Sequence, residues 1–272
     1  DALIYRDADS NARDTLTYAE LDHQTQTIAA SLHHRYGINP GDCVSLALPN
    51  CIEIPLITLA LFRLGATSVP LDLKRDTPDR KQFKVQDSGS RLICTHGELV
   101  AGEKEALPGH AVISTEELFA DPLSESADLE PSWSGSTEQE QHTNVVLYTS
   151  GTTGTPKGAC LTRQSLTSNA DGIIQWLHFD ENDRLSLVLP LHHVNSTVFS
   201  LTMLMVGGRL ILNSRYSLHR FWPIIEEEAV TATSIVPTIM HDLNAAEAGP
   251  QNGTLSHLKK IMIGSAPVPA GA

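Results

Sequence analysis

Apolar and polar positions along this chain alternate in blocks, with short apolar runs of strand length followed by stretches of helical spacing. LTYAEL (16–21) opens a helix: Thr17 sits where an N-cap hydroxyl belongs, and Glu20 three positions on completes a capping box. Leu21, Ile28 and Leu32 then share one helical face, and Gly37 is placed to close the helix in the left-handed region. CVSLAL (43–48) is a continuous apolar run that reads as a buried strand. Asn50 is placed to cap a helix reaching about Leu64, with Gly65 as its stop, and TSVPLD follows as a short strand. Thr77 with Pro78 at the first helical position opens another helix ending near Gly89. RLICT and AVIS (111–114) supply two more strands.

The pattern then lapses. Residues 120–142, DPLSESADLEPSWSGSTEQEQH with its flank, are acidic, rich in serine and almost without apolar positions. They read as a surface linker, which gives a first α/β lobe at 1–119 and a second at 143–272. In the second lobe NVVLYT is a strand, and Leu166, Ala170, Ile173, Ile174 and Leu177 form a helical stripe. LSLVLPL is a strand, VFSLTMLMV a helix stopped by Gly207-Gly208, and RLILN a strand. A helix around 218–228 contains Pro223, which places its start near that proline. The strand TATSIV, a helix after Pro237 and the strand LKKIMIGS complete the series. Strands separated by helices of this length imply right-handed crossovers, so the fold class is α/β with mostly parallel sheets and flanking helices.

Composition narrows the function classes. Hydrophobic residues make up 41% and charged residues 19% of 272, an ordinary globular balance with room for a sizeable core. Lys plus Arg number 19 against 32 Asp plus Glu, a net charge of −13. Such a surface repels nucleic acid and anionic membranes, so any phosphate handling has to be local. Cys43, Cys51, Cys94 and Cys160 show neither CxxC spacing nor an accompanying His pattern, and the expectation is free thiols in a reducing cytoplasm with no metal ligands within the chain. No apolar run reaches the ~18 residues of a membrane span, and IPLITLALFRLGA is interrupted by Arg63. The chain opens at Asp1 without a signal-like segment and stops at PVPAGA after a strand-like run, so both ends read as cut.

The chemistry concentrates at YTSGTTGTPKG (148–158). A strand feeding a Gly/Ser/Thr loop puts backbone N–H groups at the carboxyl edge of a parallel sheet, where ligands bind in open α/β folds. Glycines let the backbone approach a ligand, hydroxyls add donors and Lys157 adds charge, a combination suited to a polyphosphate. A Walker A loop is excluded, because Pro156 stands at its second glycine position and Gly158 follows Lys157 where a magnesium-binding hydroxyl is required. That also disfavours a kinase or GTPase.

This stretch resembles the signature phosphate loop of the adenylate-forming superfamily, which contains acyl-CoA synthetases, peptide-synthetase adenylation domains and firefly luciferase. LTYAEL (16–21), LFRLGATSVPLD (61–72) and GSAPVP (264–269) resemble three further core motifs in the family's order. The resemblance implies a layered αβαβα-type N-terminal domain, incomplete on its C-terminal side. It also implies a two-step reaction: a carboxylate attacks the α-phosphorus of ATP in the presence of Mg2+, and the acyl group then passes to coenzyme A or a carrier-protein phosphopantetheine. By position, Thr149, Ser150, Gly151, Thr152, Thr153, Gly154 and Lys157 would hold the β- and γ-phosphates. PLHHVNST (190–197) resembles the segment that places a histidine beside the carboxylate, a position His193 takes. Lys157 and His193 are thus the expected catalytic residues, and Gly264, Ser265, Ala266 and Pro267 would line the adenine and acyl pocket.

No Asp occurs between Asp183 and Asp242 to pair with an α-amino group, so the expected substrate is a fatty or aryl acid. The family's later motifs, the magnesium-holding YGxTE, the TGD aspartate and a C-terminal lysine, are absent, and residues 1–272 alone are expected to be inactive. Two other readings stay open: an adenylation domain that loads a carrier protein, and a nucleotide-binding module without catalysis. Phe199, Met203 and Met205 read as core rather than as an acyl tunnel.

Overall fold

The computed structural model describes residues 1–120, 141–149, 155–246, 249–250 and 255–267. Its contacts divide the chain into two units, one of Asp1–Ala19 with Thr167–Ala272 and the other of Glu20–Leu166. The division expected at 120–142 therefore lies elsewhere, and most of that segment falls outside the described residues. Strand pairing gives the reason. The N-terminal strand β1 (Leu3–Arg6) pairs with a strand more than 200 residues later, while β7 (Thr143–Thr149) pairs back with β4 (Thr67–Pro70).

The Glu20–Leu166 unit is built on a six-stranded sheet in the order β6-β5-β3-β4-β7-β8, where β3 is Cys43–Ala47, β5 Ser90–Thr95, β6 Ala111–Ser114 and β8 Lys157–Thr162. All neighbours are parallel except β7 and β8. All four residues of β4 are buried, as a parallel sheet covered on both faces demands. The polar residues this buries are paired: Thr67 donates to the Thr143 carbonyl at 2.7 Å, and Ser45 bonds Ser90 at 2.7 Å. Helices α1 (Tyr18–His34), α2 (Glu53–Leu64), α3 (Pro78–Asp87), α4 (Val100–Ala106) and α5 (Thr115–Phe119) connect the strands. Val69, Leu71, Val85, Ile93, Leu107 and Val146 form the centre of its core.

Two of its helices show the expected end signals. Thr77 accepts from the Arg80 amide with Pro78 in the first turn, and Gly65 closes α2 at φ 69°. Asn50, expected to cap α2, is not the cap residue: the helix begins at Glu53 after Ile52, and the Cys51 sulfur accepts from the Glu53 and Ile54 amides.

The other unit repeats the plan: β12-β11-β9-β10-β1-β2, with β2 Arg13–Leu16, β9 Arg184–Leu187, β10 Arg209–Asn213, β11 Ala232–Ile235 and β12 Lys260–Ile263. Again all pairings are parallel except the last, β1 with β2. Helices α6 (Arg163–Leu177), α7 (Val194–Val206), α8 (Leu218–Glu227) and α9 (Pro237–Ala245) provide the connections. Strand β9 is shorter than LSLVLPL suggests, because Asn213 donates its side-chain amide to the Leu187 carbonyl at 2.9 Å and ends the ladder there. Helix α8 starts at Leu218, five residues before Pro223, since Phe221, Ile224 and Ile225 bury its apolar face at the cost of one backbone bond. Phe199 and Met203 are buried, in keeping with a core role, while Met205 is 45% exposed. Strands β1, β2 and β8 carry no clear period-two signal and were not expected.

Candidate active-site residues

In the Glu20–Leu166 unit, β7 and β8 form a hairpin whose last described rung pairs Thr149 with Lys157. The segment between them leaves the carboxyl end of β7, the edge at which the parallel strands β3, β4 and β5 also end. Ser150, Gly151, Thr152, Thr153 and Gly154 lie outside the described residues. Lys157 is exposed, and among the described residues it makes no ion pair. Thr149 Oγ1 lies 3.5 Å from the Lys157 carbonyl. The chain around the loop is thus closed at its base by paired strands, leaving the ammonium to solvent.

Gly158, the residue after the lysine, is closely packed. A Cβ there would lie 3.0 Å from Val146 Cγ1 and 3.3 Å from the Tyr148 ring. That ring is held from below. The Tyr148 hydroxyl is 2.7 Å from Asp87 Oδ2 and 3.1 Å from the Lys84 carbonyl, and the Lys84 ammonium lies 5.5 Å from its centroid. Burial first, then the Asp87 carboxylate, pushes the phenol up, so it stays a neutral donor. Lys84 is itself clamped by both oxygens of Asp76, at 2.7 and 2.5 Å. An anchored aromatic thus covers the glycine of the edge strand and fixes the strand that leads into the loop.

In the other unit, three chain segments leave the carboxyl ends of adjacent parallel strands β9, β11 and β12. After β9 the chain turns through Pro190 to His193, which adopts extended backbone (φ −105°, ψ 144°) as the N-cap residue of α7. Hydroxyls stitch this turn: Ser196 donates to the Leu189 carbonyl at 3.1 Å and Thr197 to the Leu191 carbonyl at 3.0 Å. The His193 ring is exposed and lies 4.4 Å from the His192 ring at 57°. One turn into α7, Asn195 accepts from the Ser234 hydroxyl of β11 at 3.0 Å, and the Gly264 amide reaches the Ile235 carbonyl at 3.3 Å. His193 and the Gly264–Pro267 segment are thereby brought to one sheet edge. Ser265, Ala266 and Pro267 are exposed there, and Ser265 holds a left-handed φ of 64°, costing about 1–2 kcal/mol for a non-glycine residue. Val268 and Pro269 of the motif lie outside the described residues.

One cluster was invisible in the linear pattern. Cys51, Glu53 and His96 bring a sulfur, a carboxylate oxygen and an imidazole nitrogen within 4.8 Å of one another. His96 is remote in sequence, and the parallel pairing of β3 with β5 is what makes it a neighbour. Among the described residues this is the cluster of three potential metal ligands. Its sulfur and nitrogen do not suit Mg2+, which takes oxygen ligands, so the Mg2+ implied by the resemblance has no ligand set here. No helix among the described residues is long and apolar enough to cross a membrane.

Comparison with known proteins adds the family. Residues 1–272 match the family described as AMP-binding enzyme. The chain is 32% identical over 234 residues to an oxalate–CoA ligase of Arabidopsis thaliana, covering 82% of this chain and 45% of that one. It is 32% identical over 260 residues to a feruloyl-CoA synthase of Amycolatopsis, covering 94% and 50%. Among solved structures, the O-succinylbenzoate coenzyme A synthetase (MenE) of Bacillus subtilis in complex with AMP superposes with a TM-score of 0.84 at 28% identity, over 99% of this chain and 65% of that chain. An inhibitor-bound N-terminal domain of FACL13 from Mycobacterium tuberculosis gives 0.81 at 27% identity, over 98% and 66%. The chain thus spans about half the length of the curated relatives it matches.

Proposed function

Because the chain belongs to the AMP-binding enzyme family, we propose that it handles nucleotide and acid in an ATP-dependent acid–thiol ligase. The reaction is carboxylate activation to an acyl-adenylate, followed by transfer to the thiol of coenzyme A. The Thr149–Lys157 hairpin carries this reading, since it presents a cation without an ion pair among the described residues at the carboxyl edge of a parallel sheet beside a Gly/Ser/Thr loop.

In this reading Thr149 and Lys157, with the donors of Ser150, Gly151, Thr152, Thr153 and Gly154, hold the β- and γ-phosphates. When the carboxylate oxygen attacks the α-phosphorus, the bond to the bridging oxygen breaks and negative charge spreads over the departing pyrophosphate. Lys157 stabilises that charge without bonding to the reacting centre. His193, exposed at the start of α7, orients the carboxylate, and the first-turn amides of the helix favour the same anion. Gly264, Ser265, Ala266 and Pro267 accept the adenine and the acyl group, where small side chains admit a flat ring against backbone. Mg2+, when bound, supplies further charge neutralisation on the phosphates.

The absence of an Asp between Asp183 and Asp242 argues for a fatty or aryl acid over an α-amino acid. Residues 1–272 alone are expected not to complete the reaction, as the relatives carry about as much chain again. The test is acid-dependent ATP–pyrophosphate exchange by the full natural protein against a panel of fatty and aryl acids. Exchange with one acid class supports the reading and names the substrate class. Saturable ATP binding without exchange for any acid overturns it in favour of a non-catalytic nucleotide module.

A further inference from the structure

The Cys51, Glu53 and His96 cluster sits at the carboxyl edge of the Glu20–Leu166 sheet, two strands away from β7. The register pairs Ala47 at the end of β3 with Thr95 at the end of β5, and Thr95 locks that rung by donating to the Ala47 carbonyl at 2.7 Å. His96 is the next residue on one side. On the other, the chain passes through Pro49 and Asn50 to bury Cys51 and begin α2 at Glu53. His96 Nε2 is a buried atom with no hydrogen-bond partner among the described residues, and it lies 3.9 Å from Glu53 Oε2. That is too long for a hydrogen bond. It is close to the spacing of two ligands on one ion, about 3.3 Å in a tetrahedron built on the usual Zn–N and Zn–O lengths.

We propose that Cys51, Glu53 and His96 form a divalent-cation site that takes Zn2+. The donor set decides the metal: a thiolate, an imidazole and a carboxylate suit a borderline-soft tetrahedral ion and exclude Mg2+ and Ca2+ as preferred occupants. The fourth position is left to water. On binding, the Zn–S bond forms as the Cys51 thiol gives its proton to solvent, and Glu53 and neutral His96 bind through lone pairs. Burial first, then the Glu53 carboxylate, pushes the Cys51 thiol up, so the sulfur becomes a thiolate only as the ion takes the proton's place. The positive end of α2 opposes a cation there, but only weakly beside direct metal–ligand bonds. The ligand atoms, within 4.8 Å of one another, need to close by roughly 1.5 Å at most to reach zinc spacing. The ion would tie the start of α2 to the end of β5. It serves no role in the phosphate clamp, so this site stands or falls apart from the proposed ligase activity.

The test uses the full natural protein, stripped with chelator and titrated with Co2+ and then Zn2+. One equivalent of Co2+ should give a thiolate-to-cobalt charge-transfer band with tetrahedral d–d absorption, displaced by one equivalent of Zn2+. Saturating Zn2+ at a hundredfold above Kd should raise Tm by roughly 5 °C. Cys51→Ser and His96→Gln should each abolish the band and the Tm rise, whereas Cys160→Ser, which removes an exposed thiol, should leave both intact. If Cys51→Ser does not fold, His96→Gln decides alone. A Co2+ complex without the charge-transfer band, or stoichiometric Zn2+ binding that survives His96→Gln, overturns the proposal.

Discussion

Thr149 and Lys157 face each other as the last described rung of an antiparallel ladder, although six of the seven residues between them are glycine, serine or threonine. A loop whose ends are paired in a sheet can change shape without moving its base. In the proposed reading this pairing keeps the Lys157 charge at the sheet edge beside the phosphates.

Lys157→Ala should therefore separate catalysis from stability. The side chain is exposed and makes no ion pair among the described residues, so Tm should stay within about 1 °C. Loss of a charged stabiliser of the leaving group should lower ATP–pyrophosphate exchange by about 100- to 1,000-fold. A variant that melts like the parent and exchanges within threefold of it would remove Lys157 from the mechanism.

His193→Ala tests the other unit. The backbone of His193 supports α7, its carbonyl accepting from the Thr197 amide at 3.1 Å. Folding should accordingly be unaffected, while KM for the acid rises about tenfold or more with KM for ATP nearly unchanged, equivalent to roughly 1.4 kcal/mol of lost orientation. An equal rise in both KM values would place the ring outside the carboxylate site.

Which features were legible in the sequence follows from the range of the interactions behind them. Thr77, Pro78, Gly65 and Gly207 act on their own helices within a few residues, so their roles are readable from spacing. The strand that feeds the signature loop is equally local and ends at Thr149 as read, whereas Lys157 opens β8, a strand its own residues do not announce. By contrast, β1 is stabilised by β10 across 200 residues, and its four-residue LIYR carries too little alternation to stand out. The same holds for His96, whose proximity to Cys51 exists only once β3 and β5 pair. The start of α2 is a further case, since Ile52 takes the cap position without a side-chain cap bond although the neighbouring Asn50 fits the rule better.

Gly158→Ala should be destabilising despite its place on an exposed edge strand. The added methyl meets Val146 at 3.0 Å and the Tyr148 ring at 3.3 Å, and the ring is restrained through its hydroxyl by Asp87 and α3. A cost of roughly 1 kcal/mol, or a Tm fall of about 2–4 °C, is expected from such overpacking. Tyr148→Phe frees the ring, so the double variant should lose less than the sum of the two single changes. Strict additivity in thermal melts would show that the contact does not constrain the strand.

The largest electrostatic contribution should come from Arg6 and Glu228, which pair with side chains only 4% and 5% exposed and tie β1 to the end of α8. Glu228 also receives Arg13, at 2.8 and 3.1 Å. Burial by itself favours the neutral acid, but hydrogen bonds from Arg13 and Arg6 overcome it and hold the carboxyl below its ordinary value of 4.5. A carboxyl depressed in the folded state contributes stability that is fully present above the unfolded value and is lost as pH falls through the folded one. Among the described residues Glu228→Gln leaves Arg6 with Glu227 as its one charged partner and should cost roughly 3 kcal/mol at neutral pH, the low end of the range for breaking a buried pair. Urea unfolding of parent and variant from about pH 7 down to pH 3 should then show the gap holding to about pH 5 and narrowing below it. A gap that stayed constant across that range would mean the loss reflects packing around Glu228 and not its charge.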